Sequence, residues 1–172
     1  VSQAVTAFAG SKTSEVVLPN DFAAYYEVTE GTRESFEEAE AVSPQTVDAI
    51  MEVNSGSMTL AQLLADMKDL LKAEGAAGLK MTEKQVDELE AKLESRTLVT
   101  KFFDLEPVNG GIKDDNGDYL VTLSVPAVSS SMTEVAFLHF STDRAVWEIV
   151  EASDVDYKNK ESWLWLPCSI FC

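Results

Sequence analysis

The residue pattern predicts an α+β fold, a mostly antiparallel β-sheet packed against an α-helical hairpin. Three observations carry that expectation. Apolar residues alternate along Tyr119–Val150, as they do where one face of a strand meets a core. Between Ser43 and Leu93 they recur instead every three or four positions behind helix-cap signals. The two patterns also occupy different parts of the chain, helical over 43–95 and β-rich over 97–166. A length of 172 residues suffices for one domain with a substantial core, so 1–172 is read as a single folding unit.

Val1 to Gly10 is small and apolar but lacks the basic region that opens a signal peptide, and the chain begins with Val rather than Met. A mature chain released from a signal peptide, or a piece of a longer chain, would begin in this way. Ser14 to Leu18 reads as a short strand ended by Pro19-Asn20-Asp21, and Phe22 to Val28, rich in aromatic and β-branched residues, as a second strand. Glu30 to Glu40 piles up acid around Arg33, and a run this dense reads as a solvated helix face or loop.

The helices are clearly punctuated. Ser43 suits an N-cap with Pro44 at the first helical position, Val47, Ile50 and Met51 come next, and Asn54-Ser55-Gly56 ends the element. Thr59 and Gln62 form a capping-box pair before Leu60, Leu63, Leu64, Met67, Leu70 and Leu71. Gly75 and Gly78 interrupt, and Thr82 with Gln85 repeats the signature before Val86, Leu89 and Leu93. The expected result is two antiparallel helices. Their stripe could anchor in a partner's groove, but it is no wider than sheet coverage requires, and Met51, Met58, Met67 and Met81 read as gap-fillers.

Thr97 to Leu105 then reads as a strand, and Asn116-Gly117 as a tight turn because both residues tolerate positive φ. Tyr119, Val121, Leu123 and Val125 alternate until Pro126 ends the strand. Val135 to Phe140 is apolar on both faces, like an interior strand, and the short polar link Ser141–Arg144 to Trp147–Val150 favours an antiparallel hairpin. A turn around Tyr157–Lys160 precedes a last strand, Trp163–Leu166, stopped by Pro167. Ser162–Cys172 carries no charge, so it is expected to be buried, paired with another chain or foreign to the natural sequence, with burial the first expectation.

Charge narrows the partners. Thirty Asp and Glu against 13 Lys and Arg give a net charge of −17, which repels phosphate backbones and excludes nucleic acid, while leaving a basic protein as a partner. No apolar run is long enough for membrane insertion. Cys168 and Cys172 are the only cysteines, too few for a disulfide framework, and His139 is the only histidine, so no metal set is expected. The acids of Asp114–Asp118 lack the oxygen spacing of a calcium loop, and Gly10-Ser11-Lys12-Thr13 lacks the glycine of a phosphate loop. A catalytic triad would need His139, which reads as a packed strand histidine. Catalytic, cofactor-binding and metal residues are therefore all expected to be none.

The segments FFDL, NGDYLVTLSVP, MTEVAFLHFSTDRAVWEIV and VDYKNKE, from roughly Phe103 to Lys160, resemble β-rich modules of secreted or cell-wall-anchored surface proteins of Gram-positive gut bacteria. The likeness spans about a third of the chain, lies in strand and turn residues, and stops at Ser162-Trp163, where an acid-Leu-Ser-Pro-Val strand would be expected. The resemblance implies an extracellular or cell-surface, non-enzymatic binding or presentation module, with a host surface or secreted protein such as immunoglobulin as partner. The charge supports an alternative, an acidic inhibitor or immunity protein that binds a basic bacterial protein. Last comes an enzyme using carboxylates such as Glu34, Glu37 and Glu38.

Overall fold

A computed structural model describes residues 2–7, 16–30, 32–72, 79–126, 128, 135–152, 154–156 and 161–166. The expected turn at 157–160, the phosphate-loop echo at 10–13 and Cys168 and Cys172 lie outside them, as do the side chains of the uncharged tail.

The fold is α+β, with antiparallel pairing throughout the described residues. The strands are β1 (Ser2–Ala7), β2 (Tyr26–Glu30), β3 (Thr97–Leu98), β4 (Phe103–Pro107), β5 (Tyr119–Ser124), β6 (Ala136–Ser141), β7 (Val146–Glu151), β8 (Asp154–Asp156) and β9 (Glu161–Leu166). They form two sheets rather than one. The main sheet runs β2-β4-β1-β6-β7, with β3 pairing the far end of β1, and the second runs β5-β9-β8. Strand β6 explains the layering. Phe137 faces a core shared with Val121, Leu123 and Leu105, whereas Leu138 and Phe140 face a second core under the helices. Both faces of the main sheet are thereby covered, and every residue of β6 is buried, as its doubly apolar pattern predicts.

The helices are α1 (Asn20–Ala23), α2 (Glu37–Val42), α3 (Pro44–Ser55), α4 (Leu60–Lys72) and α5 (Glu83–Leu93). Ser43 caps α3 by accepting from the Thr46 amide, and Gly56 closes it in the left-handed conformation, φ 84°. Both capping boxes form: Thr59 with Gln62 and Thr82 with Gln85 exchange side-chain and backbone bonds of 2.8 and 3.2 Å. Lys68 on α4 bridges Asp87 and Glu90 on α5, and Leu60 and Leu64 line one cavity together with Leu93, so the two helices run antiparallel. Their stripes pack with Leu98, Phe102, Phe140 and Trp147 in the core. Met58, Met67 and Met81 fill that core, with Met51 packed at its margin. No helix among the described residues is long and apolar enough to cross a membrane.

One strand is new and three local expectations are corrected. The first residues hold an interior strand, β1, paired with β6 on one side and with β3 and β4 on the other. Phe22 belongs to α1, so the strand begun at Phe22 starts only at Tyr26. The Thr97–Leu105 strand is broken at Val99–Phe102, where Asn54 at the end of α3 clamps Phe102: its Nδ2 donates to the Phe102 carbonyl (3.1 Å) and its Oδ1 accepts from the Phe102 amide (2.7 Å). At Asn116-Gly117 only the glycine has positive φ, and Asp114 builds the turn by accepting from the Asn116 and Asp118 amides, each at 2.9 Å.

Candidate functional site

The most distinctive polar feature is an acidic recess at one edge of the main sheet. Strand β2 alternates: Val28 packs toward the core between the sheets, so Glu27 and Thr29 stand on the opposite face. Its neighbour β4 does the same, with Leu105 in that core and Asp104 and Glu106 on the other side. The antiparallel register sets Glu27 opposite Glu106 and Thr29 opposite Asp104. Over this face pass the 3₁₀ turn Arg33–Phe36 and α2, held down by Phe36 and Ala39, each 1% exposed, so that Glu34, Glu37 and Glu38 point outward. The result is a cavity of about 450 Å³ whose lining includes six acidic residues, Glu27, Glu34, Glu37, Glu38, Asp104 and Glu106.

Among the described residues no cation lines this cavity. Arg33 is nearest in sequence, but its Nη2 is engaged elsewhere, 3.0 Å from Glu40 Oε2 and 2.5 Å from Asp48 Oδ1. Bonds to Asp48 and then Glu40 hold its pKa above the ordinary value. Burial is the chief cause that pushes the Asp104 carboxyl up to about 7, against the lowering effect of the chain's terminal ammonium, and Glu106 adds a smaller push in the same direction as burial. Like charges directly opposite across two strands, as at Glu27 and Glu106, oppose sheet pairing. The recess thus concentrates negative potential against its own stability, an arrangement complementary to ammonium or guanidinium groups.

The other sequence candidates lie elsewhere. His139 is fully buried in β6, with Nδ1 3.0 Å from Glu148 Oε1, an oxygen that also accepts from Arg144 Nη2 at 2.6 Å. Burial lowers the His139 pKa, outweighing the raising effect of Glu148. Burial acts to raise Glu148, but the bonds from His139 and Arg144 prevail and hold it below the usual range. A neutral imidazole donating from Nδ1 to a carboxylate accounts for both directions, and among the described residues nothing bonds Nε2. This is a packed strand histidine outside the recess. The Asp114–Asp118 acids form a turn, and among the described residues no group of three His, Cys, Asp or Glu is placed to hold a metal ion.

Of the recess acids, Glu34, Glu37 and Glu38 are conspicuous in the sequence, while Glu27, Asp104 and Glu106 are not. Their signal is the alternation of acids with Val28 and Leu105 in two strands far apart in the chain, which only strand pairing turns into one surface. In comparison with known proteins, the chain matches no protein-family model, and no curated protein or solved structure is significantly similar to it.

Proposed function

We propose that this chain is a non-enzymatic protein-binding module, extracellular or on a bacterial cell surface, that engages a cationic partner protein through the acidic recess at the β2–β4 edge. The observation that carries this reading is that six acidic residues line one cavity, with the adjacent Arg33 turned to Glu40 and Asp48. A net charge of −17 extends the same field over the molecule and would steer a basic partner toward it. The surface setting, with a host secreted or surface protein such as an immunoglobulin as partner, rests on the resemblance of the 103–160 region. The recess equally favours a second reading, an acidic inhibitor or immunity protein seated on a basic bacterial protein.

Capture on the immobilised protein, from host serum and mucosal extract beside bacterial lysate, separates the two partners. The association rate of the captured protein is then measured across ionic strength, for the wild type and for the triple variant E34Q/E37Q/E38Q. The expected result is a rate that falls roughly tenfold or more from low to high salt, and is already reduced in the triple variant. Association insensitive to both salt and these substitutions would overturn the assignment of the recess.

A further inference from the structure

The recess borders a strand whose outer edge is unpaired among the described residues. β2 is the last strand of the main sheet, and only its inner edge meets β4. The Val108 amide donates to the Tyr25 carbonyl at 2.8 Å, which sets the alternation along the strand. Glu27 and Thr29 exchange hydrogen bonds with Glu106 and Asp104, while Tyr26, Val28 and Glu30 turn their N–H and C=O groups away from β4. Pro107, which has no N–H, stands opposite Tyr26 where none is needed. Among the described residues no backbone group pairs with that outward row.

An edge of this kind is a template for another strand, and its side chains select which one. A second copy of the same edge would bring Glu27 against acids and is disfavoured. A strand with Lys or Arg at alternate positions would instead place its cations beside Glu27 and Glu34 while its backbone continues the sheet. We infer that the free edge of β2 accepts, by strand addition, an extended segment of the partner protein carrying Lys or Arg at every second residue. This rests on the reading of the recess as a site for a cationic partner, and names the form in which the partner is held.

The test uses a dye-labelled, acetylated peptide of alternating Lys and Val, and two derivatives of equal charge, one N-methylated at every Val and one at every Lys. In a strand the amides of the two sets point to opposite edges, so only one set can reach β2. Fluorescence anisotropy at low salt should show the parent peptide binding and one derivative weakened at least tenfold, with the other close to the parent. Loss in the Val series would mean antiparallel addition, and loss in the Lys series parallel addition. Hydrogen exchange should slow at the Val28 amide when the parent peptide is bound. Equal affinity of both derivatives overturns strand addition yet leaves the salt-dependent recess standing. Failure of the parent peptide to bind, or protection of Val28 that grows with protein concentration alone, also overturns it.

Discussion

Asn54 shows how much one side chain can decide. Its amide matches the backbone donor and acceptor of Phe102, 48 residues away, at the place where β3 and β4 part. Replacing it with Ala leaves the Phe102 amide and carbonyl unpaired in the core, which costs on the order of 1–3 kcal/mol for each group left unsatisfied. Urea denaturation of Asn54→Ala should therefore show a lower midpoint with an unchanged m-value. His139 and Asp104 make opposite contributions to pH dependence. The folded-state pKa of His139 lies below its ordinary 6.5, so the unfolded chain takes up the proton first, and stability held above pH 6.5 is lost as pH falls. Asp104 rises from 3.8 to about 7, so its contribution is fully present below pH 3.8 and is lost as pH rises through 7. Stability measured from about pH 4 to 8 should fall less steeply on the acid side for His139→Gln. For Asp104→Asn it should improve, relative to wild type, more at about pH 8 than at about pH 4. Identical pH profiles for all three proteins would contradict both assignments. The sequence marks Asn54 as a helix stop and His139 as a packed residue, but it has no local sign of the clamp or of the Glu148 partner.

Among the elements, the link between β4 and β5 joins the two sheets and is the most demanding backbone. Asn109, Gly110 and Gly111 all have positive φ, at 52°, 84° and 66°. A Cβ on Gly111 would lie 2.7 Å from the buried Tyr119 ring, whereas one on Gly110 meets nothing within 4 Å. Gly110→Ala should thus lose only the left-handed penalty of roughly 1–2 kcal/mol. Gly111→Ala should lose clearly more, and thermal melts of the pair check the order. Nearby, the Tyr26 hydroxyl donates to the Leu120 carbonyl at 2.6 Å and accepts from the Ile112 amide at 3.2 Å, tying β2 of one sheet to β5 of the other. The helices α3, α4 and α5 and the β6–β7 hairpin are legible beforehand because caps and periodicity act within a few residues. Strand β1 is not. Its six residues, Ser-Gln-Ala-Val-Thr-Ala, show little alternation, and its interior place comes from β6, β3 and β4.

For the whole molecule, a charge of −17 on 172 residues means that folding gathers like charges, and the recess does so most densely. Added salt should screen that repulsion, since the Debye length falls from about 30 Å at 0.01 M to about 10 Å at 0.1 M. Scanning calorimetry from low salt to about 0.3 M NaCl should show a rising Tm, by about 2–4 °C for each kcal/mol of relief in a chain of this size. A Tm that stays flat would mean the carboxylates are already compensated in the fold.

By itself the sequence determined the α+β composition, the caps of α3, α4 and α5, the burial of β6 on both faces and the acidity of the surface, because periodicity, cap chemistry and charge are properties of neighbouring residues. Tertiary structure alone decided that the strands divide into two sheets, that β1 lies inside one of them, and that Glu27, Asp104 and Glu106 join Glu34, Glu37 and Glu38 around one cavity. The physical reason is strand pairing: hydrogen bonds between β2 and β4 bring together residues more than seventy positions apart, and nothing in either segment specifies the other.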